Sequence, residues 1–106
     1  MTMAKYVMTW QVRDGGSAAD NEASAKRSLA VFSSWTPPAD VTFEEFLTRA
    51  DGQGGFAVVT TDNLASVTAE MAKFTPYNEF TLHPVLEIAD GVGLSGEAIA
   101  FRDSVS

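Results

Sequence analysis

The chain has no cysteine and, in 106 residues, a single histidine, His83. Without thiols there can be no disulfide framework, thiolate nucleophile, cysteine-ligated zinc or iron–sulfur cluster. One imidazole excludes HExxH and every other two-histidine metal site, leaving only carboxylate-rich sites for hard cations. We therefore expect no metal and no cofactor. Basic side chains are scarce too: seven Lys and Arg stand against fourteen Asp and Glu, a net charge of −7. A nucleic-acid surface needs clustered cations to neutralise phosphates, and the pair Lys26-Arg27 is the nearest thing to one. Long apolar runs are missing as well, since no stretch approaches the roughly 20 residues needed to span a bilayer. Neither a nucleic-acid nor a membrane partner is expected, and the default location is cytoplasmic. Met1 and Thr2 precede a second possible start at Met3.

What is present suits a globular chain, with 45% hydrophobic and 20% charged residues. A chain of this size buries roughly 65% of its unfolded surface, enough for one core and too little for two. Residues 1–106 therefore read as a single domain, with no repeat, linker or low-complexity run to divide them.

Tyr6, Met8, Trp10 and Val12 alternate with Lys5, Val7, Thr9 and Gln11, which predicts a strand over Ala4 to Val12. Asp14-Gly15-Gly16 ends it, and Ser17 with Asp20 three residues on fits a capping box opening a helix to about Ser34. Ala25, Leu29 and Phe32 recur at helical spacing as its buried stripe. Pro37-Pro38 cannot continue a helix, so Trp35 to Asp40 is a connector. Val41 to Ala50 and Gly55 to Thr61 form a hairpin around the glycine-rich turn Asp51-Gly52-Gln53-Gly54.

Asp62 or Asn63 caps a second helix with the inner stripe Leu64, Val67, Met71 and Phe74, closed by Pro76. Glu79 to Ile88 alternates as a fourth strand, with Phe80, Leu82, Leu86 and Ile88 on one side and Pro84 marking a sheet edge. Asp90 to Ser104 holds a last helix with Leu94, Ala98, Phe101 and Val105 along one side.

This order is that of a ferredoxin-like βαββαβ unit: α+β, a four-stranded antiparallel sheet with two helices on one face, plus a C-terminal helix. The other sheet face stays open. Val7 and Thr9 opposite Tyr6 and Met8, and Phe56 and Val58 opposite Ala57 and Val59, leave neither face strongly polar. Surplus apolar sheet surface implies a partner, and closed two-fold pairs dominate soluble oligomers. A homodimer closing face to face into a dimeric α+β barrel is the expectation.

Lys5-Tyr6-Val7-Met8-Thr9-Trp10, Ser34-Trp35-Thr36-Pro37-Pro38, Gly54-Gly55-Phe56-Ala57-Val58-Val59, Pro84-Val85-Leu86 and Phe101-Arg102 carry a family likeness over nearly the whole chain. The chain resembles the bacterial domain-of-unknown-function family numbered 3303. That family is similar in architecture to the dimeric α+β barrel superfamily, which implies a ferredoxin-like protomer and sheet-to-sheet dimers. The superfamily hosts unrelated chemistries, among them cofactor-free monooxygenases, isomerases and ligand-sensing domains, so the likeness carries over no catalytic residue.

The candidate residues each have a plainer reading. His83 is the one side chain titrating near neutrality and the candidate general base, yet a lone strand histidine without a named partner is more often half-buried or on the surface. Trp10, Tyr6 and Met8 could line an apolar pocket between the sheets, with Tyr77 and His83 at its mouth; core or dimer packing outweighs that reading. Glu44 and Glu45, adjacent in a strand, should point to opposite faces and make no catalytic carboxylate pair; an ion pair with Arg49 suits one of them. Asp14-Gly15-Gly16-Ser17 could offer amides to an anion but lacks P-loop and GxGxxG spacing, and reads as a turn before a cap. Trp35 should close one end of the core, and Arg102, like Tyr77, is a polar tip that could reach a cleft.

These features favour a homodimeric domain binding a small apolar or aromatic molecule. A cofactor-independent monooxygenase or isomerase of small aromatic or lactone substrates is the alternative in the enzyme class. A protein-interaction module is the third.

Overall fold

The computed structural model describes residues 3–105; Met1, Thr2 and Ser106 lie outside the described residues. The elements run β1 (Ala4–Val12), α1 (Ala18–Ser33), β2 (Val41–Thr48), β3 (Gly54–Thr61), α2 (Leu64–Ala72), β4 (Asn78–Val85) and α3 (Ile88–Ser104). The four strands form one antiparallel sheet in the order β2-β3-β1-β4, the ferredoxin-like arrangement. Pro84 sits on β4, an edge strand, where a missing amide donor costs no ladder bond.

Register fixes the two faces. Met8 lies between Ala57 and Leu82, and Tyr6 between Val59 and Pro84, so these residues share the helix face. Val7 lies between Val58 and His83, and Thr9 between Phe56 and Thr81, on the open face. The core sits on the helix face: Met8, Val41, Ala57, Val59 and Val67 are buried, and Val59 and Ala57 are wholly so. Tyr6, Trp10, Phe43, Met71, Phe80 and Leu82 pack around them.

Only α2 packs tightly on this face, through Val67. Its start is tied to the connector by Asp40, whose carboxylate accepts from Ser66 Oγ at 2.6 Å and from Asn63 Nδ2 at 3.1 Å. The Ser66 hydrogen bond, helped by Asn63, holds the Asp40 carboxyl below the usual carboxylate range. Asn63 occupies the cap position, but its side chain makes no capping bond because it bridges Asp40 and Ser66 instead.

Helix α1 departs from expectation. Ser17 caps it, its hydroxyl accepting from the Asp20 amide at 3.1 Å, and yet none of its residues is buried. The Ala25, Leu29 and Phe32 stripe faces the sheet without touching it closely: all three are exposed and line a cleft beneath the helix. The anticipated buried stripe is thus a roof, held off by its two ends.

Two further corrections concern β2 and α3. A bulge between Phe43 and Glu45 breaks the alternation of β2. Glu45 pairs with Val58 of the open face, while Glu44 accepts from Thr60 Oγ1, also of the open face, at 2.6 Å. Both glutamates therefore stand on one face, and Phe43 and Phe46 meet on the other with ring centroids 5.0 Å apart. Arg49 pairs with Asp51 rather than with either glutamate. The last helix begins at Ile88, which with Leu86 lies beyond the strand, and no residue of α3 is buried.

Candidate functional site

The feature that most resembles a site is the space between α1 and the sheet, a cleft of about 920 Å³. Both tryptophans, Trp10 and Trp35, and five of the seven phenylalanines border it. The geometry follows from local sequence. Gly55 lies across from Trp10 in the β1–β3 ladder, and a Cβ there would overlap the indole and the Leu47 carbonyl oxygen. Glycine therefore lets the ring lie down on the strand as part of the cleft floor. The β2 bulge turns Phe46 toward that ring, edge to face at 5.6 Å.

At one end, Trp35 stacks on Phe32 at 5.7 Å and meets Phe43 and Phe74 edge-on at 5.8 and 6.1 Å. This aromatic cluster gathers at the C-terminus of α1, with Trp35 against Phe32, Phe43 and Phe74. The Trp35 indole N–H lies 3.4 Å from Glu70 Oε2, which Lys73 Nζ approaches at 2.6 Å. At the other end the loop before α1 is bound into itself. Asp14 Oδ1 accepts from the Gly16 amide at 2.8 Å and from Asn21 Nδ2 at 3.2 Å, and the Gly15 amide donates to Asn21 Oδ1 at 2.6 Å. Gly16 adopts φ +93°, open to glycine at little cost. Asp14 and Asn21 thus occupy the donors an anion would need, and the Asp14 carboxyl is held low by the Gly16 amide first and Asn21 second.

Polar groups in the wall are few. The Asn78 side chain is buried, with Nδ2 3.4 Å from the Phe74 carbonyl. Arg13 stands at the mouth, donating through Nε to the Thr75 carbonyl at 2.9 Å and approaching Glu79 at 3.4 Å. A mainly apolar cavity of this size with a few fixed polar groups is what small-molecule sites are made of.

Of the candidate residues, Trp10, Met8 and Tyr77 come together in this cleft. Tyr6 shares their face but does not line the cleft. His83 is on the opposite, open face beside Val7, exposed, so the sheet separates it from the other four. A pocket between packed open faces would exclude Trp10, Met8 and Tyr6, because strand parity turns them toward the helices. Arg102 lies in the last turn of α3. Asn78 escaped the sequence reading, although a polar residue in phase with Phe80 and Leu82 was a visible signal. Phe46 escaped it because nothing in the sequence marks the bulge.

Among the described residues, no group of three or more acidic or histidine side chains is placed to hold a metal ion, and no helix is long and apolar enough to cross a membrane.

Residues 4–99 match the domain of unknown function DUF3303. The chain belongs to that family. No curated protein matches it. Among solved structures it is similar to SnoaB, a cofactor-independent oxygenase from Streptomyces nogalater, with 12% sequence identity over 82% of this chain and 96% of that chain, at a TM-score of 0.35. Membership in DUF3303 accords with the resemblance seen in the sequence and assigns no activity.

Proposed function

We propose that this DUF3303 domain binds a small, flat, largely apolar molecule in the cleft between α1 and the sheet, and does so as a two-fold pair. The observation that carries the binding reading is the concentration of aromatic side chains around one open space. Phe32 and Phe46 are each nearly half exposed there. Aromatic surface left wet forgoes the burial that usually makes such residues worth having, and a planar ligand stacked edge-on or offset against them would recover it.

Titration calorimetry with naphthols, set against the Ser28→Trp variant, tests this. Ser28 lines the cleft from α1, half-buried. Filling the space with an indole from the roof should weaken binding at least tenfold and leave the far-UV spectrum unchanged. Equal affinity in the variant, or no heat with any flat aromatic probe, would refute the reading.

Pairing is supported by the open face. Leu47, Phe56, Val58 and Val7 lie on adjacent strands in neighbouring rows, with Leu47 55% and Phe56 48% exposed. The patch is a diagonal stripe bordered by Glu44, Glu45, Glu79 and Gln11, narrower than the sequence alone suggested. A native mass of twice the chain at micromolar concentration is the expected result; a monomer would overturn the pairing.

A further inference from the structure

Helix α3 has no cover of its own. Ile88, Val92, Leu94, Ile99, Phe101 and Val105 are each at least half exposed, Ile88 at 83% and Phe101 at 70%. Gly91, Gly93 and Gly96 lie within it, and a Cβ at any of the three would meet open space. Glycine is the poorest helix former after proline, and helices in water owe most of their stability to packing of an apolar face. A glycine-rich helix of 17 residues with apolar side chains on two sides therefore needs a surface.

Its own sheet does not provide one, since no residue of α3 is buried. Only Leu86 and Glu87 separate β4 from α3, and Glu87 is held by Lys5 Nζ at 2.6 Å. Lys5 belongs to the open face, between Thr60 and Val85. The pair ties the root of the helix to an open-face residue, the molecule is elongated at 63 × 32 × 22 Å, and no residue of α3 is buried. A membrane surface is a poor match, because α3 carries Asp90, Glu97 and Asp103 against one base, Arg102.

We propose that α3 is an arm exchanged between two copies of this chain, the Leu94, Ala98, Phe101 and Val105 stripe of each lying along the diagonal Leu47, Phe56, Val58 and Val7 stripe of the other. The dimensions are compatible. The Leu94 to Val105 stripe runs about 16 Å, the diagonal patch, two strand spacings wide and two residues long, about 12 Å, and a single apolar stripe suits a helix better than a whole second sheet. The three large side chains of the arm stripe, Leu94, Phe101 and Val105, expose on the order of 100 Å² each, so two arms and the two patches beneath them would bury about 1,200 Å², the lower end of the range for a stable interface. Two-fold reciprocity supplies that area from one sequence, which a foreign partner seated on a single arm would not.

This inference rests on the two-fold pairing proposed above, and the experiment separates the two. Native mass and far-UV circular dichroism are measured for the wild type, Leu94→Asp and Phe101→Asp on the arm, and Phe56→Asp on the sheet. Each of these side chains is exposed in the single chain, so each variant should keep its sheet and helix signal. We expect a wild-type dimer, and in all three variants a dissociation constant raised at least 100-fold. A dimer broken by Phe56→Asp but untouched by both arm variants would overturn the exchanged arm and leave the pairing intact. A dimer indifferent to all three substitutions would overturn the exchanged arm and the use of the open face, and a wild-type monomer would overturn the pairing as well.

Discussion

At the scale of single residues, the loop before α1 shows how much a short polar sequence can specify. Asp14, Gly16, Ser17, Asp20 and Asn21 satisfy one another through hydrogen bonds of 2.6 to 3.2 Å. The Asp14 carboxylate accepts from the Gly16 amide and from Asn21, which favours its charged form and lowers its pKa in the folded chain. A group whose folded pKa is depressed adds stability that is present above its unfolded pKa, about 3.9, and lost as pH falls through the folded value. Asp14→Asn should therefore melt below the wild type at pH 7, and the difference should shrink as pH falls below the unfolded value and on through the lowered folded one. Thermal melts of the pair across that range check it; a gap that persists or widens in acid would show that the charge is not what matters. The turn and cap were legible because each rests on local chemistry: an Asx-type acceptor, a glycine at positive φ and a serine three residues before an acid.

At the scale of elements, the helical stripes of α1 and α2 look alike in sequence and differ in the fold. Val67 is 2% exposed and Leu29 is 67% exposed. Truncating Val67→Ala removes fully packed methyl groups and should cost about 2 kcal/mol, whereas Leu29→Ala should cost under about 0.5 kcal/mol, as surface changes do. Urea titrations of both variants decide it; a loss of about 2 kcal/mol or more from Leu29→Ala would mean that α1 closes onto the sheet in solution. Periodicity gave which side of α1 faces the sheet, because that depends on 3.6-residue spacing alone. It could not give the distance of approach, which is set by the aromatic cluster around Trp35 at one end and the Asp14 loop at the other. The same limit hid the β2 bulge. One extra residue sent Glu44 and Glu45 to the same face and brought Phe43 and Phe46 together, and no residue type in Val41–Thr48 announces it.

At the scale of the whole molecule, the strand and helix order was readable from end to end, since alternation, prolines and glycine turns mark most boundaries; the junction of β4 and α3, where Leu86 and Ile88 continue the apolar alternation past the strand, carries no such mark. The candidate site was readable only in its residue types. Trp10, Met8 and Tyr77 gather where the aromatic side chains gather, while His83 falls on the other face because an odd residue number on β4 decides its side. What the sequence left unsaid is the shape: the radius of gyration is 18.3 Å, against about 13 Å for a compact chain of this length. The fold is correspondingly elongated, and α3 has no buried residue. Its amides should therefore exchange with solvent in a concentration-dependent way, unlike those of β1 and β3, whose protection comes from a sheet each chain builds for itself. Hydrogen exchange at two protein concentrations, one well above and one well below the dissociation constant of the pair, should show Gly91 to Phe101 protected only in the first, with Val7 and Val58 unchanged at the backbone. Equal, fast exchange of α3 at both concentrations would mean that the arm stays uncovered, and equal, slow exchange would mean that the single chain covers it.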